Sequence, residues 1–322
     1  MRRSVCIAIA TVVAAQPCAS AEPSAEESTR LVAVYEASLQ SGPDGPGFRR
    51  PRAVSTDPLG NVFVADTGNH RVLHFDALGR FVFEFGGYGW DVGELSSPTD
   101  VSAREGFKLF VADSGNERIQ WFDISDSSPE GAVFPFQEGE GLEGEALVLP
   151  SRLSIDPEGR VYVSDPLCHC VWIFTPTGEL LMKLGGLGSE PARFRDPSGV
   201  IVGRQGTVYV ADSGNHRIQV FDSIGSWVAA WGGPEDDPLV RPVGVDVDPA
   251  GNVWVADAGS AWVRVFTPAG IPLFRFGGPG EGPGRFRSPV DVAVGRDGVV
   301  YVVDEEREVV ERYRVRRETE ER

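Results

Sequence analysis

The sequence repeats itself with a period of 45 to 52 residues, and this repeat limits the fold more than any other feature. An aspartate recurs at the same place in six copies, and a proline opens each copy in step with it. A period in the forties indicates one supersecondary unit stacked on its neighbours. The aspartates are Asp66, Asp113, Asp165, Asp212, Asp257 and Asp304, and the prolines are Pro51, Pro98, Pro150, Pro197, Pro242 and Pro289.

One copy of the repeat predicts four short strands. In the fourth copy these are residues 200–202, 207–211, 217–221 and 227–231, separated by turns rich in Gly, Asp and Asn. Such a pattern is typical of an antiparallel meander. The second strand is apolar on both faces, so it must be covered on both sides, as in sheets packed face to face around an axis.

The sixth copy, residues 290–315, supplies only three strands, and the missing fourth is found at the other end of the chain, at residues 31–36. The sequence therefore predicts an all-β fold, a six-bladed β-propeller of four-stranded antiparallel blades over residues 31–315. The N-terminal strand would close the ring and remove an open sheet edge. Residues 22–30 are expected to be a flexible segment, and residues 316–322 a charged C-terminal tail.

The repeat resembles a known family. A proline, one variable residue, Gly or Asp and then Val open four of the copies, V-Y-V-A-D-S-G-N-H-R-I-Q-V-F forms the core at residues 208–221, and F-G-G closes two of them. This pattern resembles the NHL repeat, here of the exported bacterial type, over residues 31–315. The resemblance implies a propeller but no single function, because the family includes RNA-binding translational regulators, receptor-kinase sensor domains and a peptidyl-amidoglycolate lyase.

Residues 1–21 have the order of a secretory signal peptide. Basic residues come first, then the apolar residues 5–15, then the small residues 19–21. The apolar stretch is too short to span a bilayer. We expect a periplasmic or extracellular protein with no membrane span. Lipid modification at Cys18 is the minority alternative, because a proline precedes that cysteine where a small residue is required.

The formal charge of the chain is −17, and loss of residues 1–21, which hold two arginines and no acid, would leave −19. A surface this acidic repels phosphate backbones and anionic lipid headgroups. Nucleic acid is therefore excluded as an expected partner. We expect a monomer.

A D-x-G-N-x-R turn stands intact at residues 66–71, 113–118 and 212–217. The turns could form a ring of charged ligands, or each aspartate could hold its own turn and pair with the arginine five residues later. Repetition at equivalent sites favours the structural interpretation, which extends to His70 and His216 inside the motif.

The third blade replaces this motif with Cys168, His169 and Cys170. Three states are open for the two cysteines. An exported protein is oxidising enough for a disulfide. Extended backbone would hold their Cα atoms near the upper limit for a bridge, whereas a turn would bring them closer. They could also be free thiols, or ligands to Zn²⁺, whose sites usually space two cysteines by two to four residues.

Catalytic patterns are scarce in the sequence. The chain has four histidines, and none lies in the proline-opened strands that would line the channel. No Ser-His-Asp, phosphate-loop or H-E-x-x-H signature is present. The sequence leaves catalysis open but favours a protein without it.

The mouth of the predicted channel is the main candidate site. The position two residues after each opening proline usually holds Gly or Asp in this repeat. Three blades carry a charged side chain there, which is an aspartate in two blades and an arginine in the third. Further arginines occur nearby, in the loops that enter the blades. Such concave polar mouths suit small-molecule sites, although a solvated rim is an equal alternative. If the mouth is only a rim, the outer loops around Trp90 are the next candidate. The candidate ligand-binding residues are Arg50, Arg52, Asp100, Arg152, Arg241 and Asp291.

Two functions follow from these patterns. The leading hypothesis is an exported, non-enzymatic recognition or scaffold propeller that binds a protein, peptide or glycan through loops at the channel mouth. The alternative is a metal-dependent lyase or hydrolase in which Asp100 and Asp291 hold a cation. No cofactor is expected under the first hypothesis, and Ca²⁺ or Zn²⁺ under the second.

Overall fold

The structure is a computed structural model, and it describes residues 29–319 except for 43–44, 105, 126, 128, 137–146 and 204. The predicted signal peptide, Cys18 and residues 22–28 of the predicted flexible segment therefore lie outside the described residues. Within the described part of the chain there are 24 β-strands and three single-turn 3₁₀ helices, Thr67–Asn69, Ser114–Asn116 and Ser213–Asn215.

The strands form six four-stranded antiparallel sheets, each built mainly from one copy of the repeat. Blade 1 contains β2 (Ala53–Thr56), β3 (Val62–Asp66), β4 (Arg71–Phe75) and β5 (Phe81–Gly86). Blade 2 contains β6 (Pro98–Ser102), β7 (Lys108–Asp113), β8 (Arg118–Asp123) and β9 (Glu130–Val133). Blade 3 contains β10 (Arg152–Ile155), β11 (Val161–Asp165), β12 (Cys170–Phe174) and β13 (Leu180–Gly185). Blade 4 contains β14 (Pro197–Val202), β15 (Val208–Asp212), β16 (Arg217–Phe221) and β17 (Trp227–Trp231). Blade 5 contains β18 (Pro242–Val247), β19 (Val253–Asp257), β20 (Trp262–Phe266) and β21 (Pro272–Gly277). Blade 6 contains β22 (Pro289–Val294), β23 (Val299–Asp304), β24 (Val309–Thr319) and, as its outermost strand, β1 (Thr29–Ser38).

The blades are arranged in a ring around a central channel. The innermost strand of each blade contacts the innermost strands of both neighbouring blades, and β22 of blade 6 contacts β2 of blade 1. The predicted six-bladed β-propeller is confirmed. Because the ring has six members, blades 3 and 6 face each other across the channel, as do blades 2 and 5.

The N-terminal strand closes the ring, as the sequence predicted. Strand β1 pairs antiparallel with β24 along its whole length. Glu36 forms ion pairs with Arg312 and Arg314, at 3.2 and 2.8 Å. The pairing is longer than expected, because Leu31 is opposite Arg317 and β24 continues to Thr319. Residues 316–319 therefore belong to a strand rather than to a charged tail. Their charged side chains fit there because residues 316–318, beside the outermost strand, are exposed.

The core lies between adjacent blades. Each hydrophobic cluster joins side chains of neighbouring sheets, as where Ala53 and Phe63 of blade 1 pack with Val101 and Leu109 of blade 2. The second strands, such as β15, are buried at every position because they are covered on both faces. Burial of each such Val or Phe side chain contributes about 1.5–3 kcal/mol.

Candidate functional site

The channel has two different ends. We call the end where the innermost strands begin, next to the repeated prolines, the proline end. We call the other, where each innermost strand turns into the second strand, the hairpin end. Because each blade is an antiparallel meander, the loops between blades and the turns after the second strands lie at the proline end.

Polar side chains inside the channel complete the hydrogen bonding of the innermost strands. Each innermost strand is a sheet edge, whose outward N–H groups lack a strand partner. The side chain of one blade accepts the hydrogen bond from the next: Asp100 Oδ2 accepts from Leu153 N at 2.6 Å, and Asp291 Oδ2 from Val54 N at 2.9 Å. Aspartates in this slot therefore join neighbouring blades.

A second layer, toward the hairpin end, works in the same way. Ser55 Oγ accepts from Ala103 N at 3.1 Å, and Asp246 Oδ2 accepts from Val294 N at 2.8 Å. Sequence reasoning missed this layer. The signal was present four residues after the opening proline, where several blades carry a polar side chain: Ser55, Ser102, Ser154 and Asp246.

Arg152 closes the channel between these aspartates. Its Nη1 lies 3.4 Å from Asp100 Oδ1 and 3.1 Å from Asp291 Oδ2, and its Nη2 donates to the carbonyl of Val290 at 2.9 Å. Asp291 and Val290 belong to blade 6, opposite blade 3, so the side chain of Arg152 crosses the channel. All three charged residues are buried. The structure thus brings Asp100, Arg152 and Asp291 together, but pairs them with one another.

Burial controls the electrostatics of this cluster. Desolvation, together with the neighbouring charge of Asp291, raises the pKa of Asp100 to about 7 against the lowering effect of Arg152. Desolvation also raises the pKa of Asp291. Burial alone would lower the pKa of Arg152, but the two carboxylates outweigh it and raise that pKa. The guanidinium of Arg152 therefore stays charged, and the carboxylate of Asp100 is the group that can take up a proton.

A cavity of about 510 Å³ lies on the hairpin side of Arg152. The Asp100, Arg152 and Asp291 cluster forms its floor. Its rim is formed by the turns that follow the innermost strands, and Arg104 of blade 2 reaches across it to an ion pair with Asp246 of blade 5. The rim residues are Pro58, Arg104, Pro157, Gly203, Pro249 and Arg296.

The other predicted mouth residues, Arg50, Arg52 and Arg241, lie at the proline end and do not line this cavity. Arg50 Nη2 and Arg52 Nε lie 3.1 and 3.2 Å from Glu305 Oε1. Arg241 is exposed, and its backbone N–H donates to Asp257. The predicted set is therefore divided between a buried cluster inside the channel and arginines on the outer surface.

The loop between blades 1 and 2 presents aromatic side chains at the proline end. Tyr88 and Trp90 are 66% and 67% exposed. The backbone beneath them is fixed, because Arg118 donates to the carbonyls of Trp90 and Asp91 at 2.7 and 2.8 Å. Glu94 Oε2 accepts from Trp90 N at 2.9 Å from within the same loop.

Arg118 is itself held by the repeated turn motif. The fully buried Asp113 accepts from Arg118 Nε at 2.7 Å, from Asn116 Nδ2 at 2.8 Å and from the Ser96 backbone N–H at 2.6 Å. Equivalent bonds form around Asp66 and Asp212. The motif is therefore structural, since each aspartate connects its turn to the loop that enters the same blade.

The histidines of the motif are structural as well. His70 Nδ1 accepts from the Ser97 backbone N–H at 2.9 Å, and its ring packs against Tyr88 at 5.0 Å between centroids. His216 Nδ1 contacts the carbonyl of Val240. Both side chains link a turn to the next interblade loop.

Cys168 and Cys170 form a disulfide in the structure, with Cα atoms 5.3 Å apart. The backbone between them is not extended, because His169 has a φ of 53° in the left-handed region. The same conformation occurs at His70 and Glu117, which occupy equivalent turns without cysteines. The turn of the repeat thus brings the two cysteines within bridging distance.

Nothing in the described part of the chain resembles a metal centre, since no three His, Cys, Asp or Glu side chains converge there. A cation between Asp100 and Asp291 would have to displace Arg152. Among the described residues, no helix has the length and hydropathy needed to cross a bilayer.

Comparison with known proteins identifies the repeat. The NHL repeat model matches residues 48–75, 194–221 and 239–266. Three blades of this six-bladed β-propeller, blades 1, 4 and 5, therefore match the NHL repeat. Each match runs from the loop at the proline end through the innermost strand and second strand to the third strand.

This propeller is similar to short parts of two curated proteins. It is 28% identical to the Drosophila melanogaster "Protein brain tumor" over 142 residues, which are 43% of this chain and 12% of the relative. It is 42% identical to the Caenorhabditis elegans "RING finger protein nhl-1" over 53 residues, 16% of this chain and 5% of the relative. The chain thus spans only a small part of the length of either.

Several solved structures share the fold of this propeller at low sequence identity. A Bacteroides thetaiotaomicron protein of unknown function has a TM-score of 0.67 and 15% identity over 90% of this chain and 77% of its own. A streptogramin B lyase has a TM-score of 0.64 and 12% identity over 89% of this chain and 98% of its own. A gluconolactonase from Xanthomonas campestris has a TM-score of 0.62 and 16% identity over 89% of this chain and 90% of its own. Likeness at this identity concerns the fold alone.

Proposed function

We propose that this NHL propeller is a non-enzymatic recognition module that binds a protein, peptide or glycan through the loops at its proline end. Tyr88 and Trp90 are its principal contacts. The proposal rests on one observation, the exposure of two large aromatic side chains on a loop whose backbone is fixed by Arg118 and Glu94.

Rigid aromatic side chains are effective contacts because they supply a large area and lose little conformational freedom on binding. Arg118 and Glu94 hold the loop before any partner arrives, so less ordering is required on association. Trp90 can stack on a sugar face or fill a pocket in a protein. Both classes of partner suit the same surface.

The aromatic residues are not needed to form the loop. The loop between blades 3 and 4 has the same bridge at its base, Leu187 to Phe194, as Tyr88 to Leu95 in the first loop. Leu187 and Ser189 take the places of Tyr88 and Trp90 there. Because the same backbone forms without them, a binding role explains the exposed aromatic pair better than a folding role.

The geometry of the channel supports recognition over the alternative of a metal-dependent lyase or hydrolase. Asp100 and Asp291 already pair with Arg152 and accept backbone N–H groups. The enzymes among the structural neighbours share only the fold.

The proposal includes a location outside the cytoplasm, in the periplasm or the extracellular space. The basic, apolar and small residues of segment 1–21 support export. The Cys168–Cys170 disulfide is compatible with it, because such bonds persist in oxidising compartments.

The test is a selection of ligands followed by matched substitutions. Purified protein is screened against a glycan array and a phage-displayed peptide library, and the best ligand is titrated against Trp90→Ala and Ile224→Ala. Ile224 is 72% exposed on a turn at the hairpin end, so it controls for loss of an exposed apolar side chain. We expect Trp90→Ala to weaken binding by about 2 kcal/mol or more, the size of a hot-spot residue. Equal affinities for the two variants would contradict the proposal.

A further inference from the structure

The cavity at the hairpin end is lined by carboxylates that already have partners and by arginines with unused N–H donors, and this difference indicates an anionic ligand. The aspartates near the rim are used by their own turns. Asp57 Oδ1 accepts from Leu59 N and Asn61 N, each at 2.8 Å, and Asp248 Oδ1 accepts from Ala250 N at 2.9 Å. Asp156 is held by Glu158, Arg160 and Tyr162 in the same way.

The carboxylates deeper in the cavity are also engaged. Asp100 and Asp291 pair with Arg152 on the floor. Asp246 accepts the backbone N–H groups of Val247 and Val294 at 2.6 and 2.8 Å, in addition to its contact with Arg104. Among the described residues, every carboxylate of the cavity therefore already has a partner, and none is free to attract a cation.

Two guanidinium groups have N–H donors that are not used by any described residue. Arg104 contacts Asp246 through Nη2, and its side chain remains 35% exposed, against 8% for that of Asp246. Arg296 is exposed at the rim and forms no ion pair or hydrogen bond with any other described residue. Ser55 accepts a backbone N–H with its oxygen and keeps its own proton for a further bond.

The two arginines are brought to the same side of the cavity. Arg104 crosses from blade 2 to Asp246, at the boundary between blades 5 and 6. Asp246 Oδ2 is bonded to Val294 N, and Arg296 follows two residues later on the same blade. One anionic group at this boundary could therefore contact both side chains. The corresponding residue of blade 4, Arg204, lies outside the described residues.

We propose that the cavity binds a small organic anion, with a carboxylate or phosphate group on Arg104 and Arg296 and the remainder of the molecule between the innermost strands. Guanidinium groups bind both oxyanions through paired, charge-assisted hydrogen bonds. A volume of about 510 Å³ suits a molecule of monosaccharide size or somewhat larger. This site is separate from the proposed recognition surface at the proline end.

The test uses probes of similar size that differ in charge. Glucuronate and glucose 6-phosphate are titrated into the protein by isothermal calorimetry, with glucose as the uncharged control. We expect at least one of the two anions to bind and glucose not to bind. Glucuronate alone would indicate a carboxylate ligand, and glucose 6-phosphate alone a phosphate ligand. No preference for either anion over glucose would overturn the proposal.

Substitutions then locate the binding. Arg104→Gln and Arg296→Gln should each weaken binding about tenfold or more, because each removes charge-assisted bonds. Arg80→Gln, on an exposed side chain of another turn at the same end, is the matched control. Asp246→Asn should strengthen binding, since it removes the carboxylate that competes for Arg104. Equal affinity in Arg80→Gln and Arg296→Gln would overturn the proposal.

The Arg104 variants need a control for loss of folding. Arg104→Gln leaves Asp246 buried without its cation, so the double variant Arg104→Gln/Asp246→Asn is measured beside it. The amide oxygen of the substituted side chain can still accept from Val294 N. Arg296→Gln alters an exposed side chain without described partners, so it keeps the test decisive even if the Arg104 variants unfold.

Discussion

Arg152 and Asp291 approach each other from opposite blades and form an ion pair across the centre of the ring, with Nη1 and Oδ2 3.1 Å apart. The same guanidinium contacts Asp100 of the neighbouring blade and the Val290 carbonyl of the facing one. The blades are thus connected through the channel as well as around it.

Replacement of Arg152 by Ala should destabilise the fold. It would leave Asp100 and Asp291 buried without a cation, and breaking a buried ion pair in this way costs about 3–5 kcal/mol. Urea unfolding measures the change, with Arg80→Ala as the control, because Arg80 forms an exposed pair with Asp76 and its loss should have little effect. A loss below about 1 kcal/mol for Arg152→Ala would show that the cluster contributes little to stability.

Asp100 should make stability depend on pH. Burial raises its pKa from 3.8 to about 7, so the folded state binds a proton that the unfolded state has already released above pH 4. The stability from this proton is complete at low pH and is lost as the pH rises through about 7. Asp291 and Asp246, whose pKa values are also raised by burial, act in the same direction.

We therefore expect Asp100→Asn to reduce the fall in melting temperature between pH 6 and pH 8. The substitution removes one of the two charges that compete for Arg152, and the amide oxygen can still accept from Leu153 N. Asp123→Asn is the control, because hydrogen bonds from Ser125 lower the pKa of this exposed carboxyl. A slope that is the same in wild type and Asp100→Asn would refute this assignment.

The repeat made much of this arrangement predictable, but not the distances across the channel. Asp100, Arg152 and Asp291 were found because they share one slot of the repeat, and slots two positions after the proline must lie at one level of the ring. The pair between Arg104 and Asp246 could not be found in this way. The two residues occupy different slots, and whether an arginine spans the channel depends on its width, which periodicity does not give.

The site at the proline end was predictable only in outline. Trp90 was recognised as an alternative contact because it lies in an interblade loop. Its fixed backbone depends on Arg118, 28 residues away, whose partners are carbonyl groups without a sequence pattern. The sequence left the backbone at His169 open between an extended strand and a turn, and the left-handed conformation that decides it recurs in the equivalent turns at His70 and Glu117.

Removal of strand β1 should expose the edge of blade 6. Tyr35 packs edge-on against Tyr313, and Glu36 pairs with Arg312 and Arg314, so these contacts would be lost with the strand. A chain that starts at residue 39 should melt at a lower temperature and aggregate through β24, relative to a chain that starts at residue 29. Coincident melting curves and equal solubility would show that β1 does not stabilise the ring.

The disulfide should contribute little to folding. It closes a ring of three residues, for which chain entropy predicts a stabilisation of about 1–2 kcal/mol. The equivalent turns at His70 and Glu117 form without cysteines. The double variant Cys168→Ser/Cys170→Ser should therefore keep the circular dichroism spectrum and lose only a few degrees of melting temperature. Loss of the folded spectrum would contradict this expectation.

The central claim is that recognition occurs at the proline end, and hydrogen–deuterium exchange of the complex tests it most directly. The ligand selected on wild-type protein is added at saturation, and exchange is followed in every peptide. We expect protection of the loop that carries Tyr88 and Trp90 and of its neighbours at the proline end. Protection confined to the turns of the hairpin end, with none in that loop, would contradict the account.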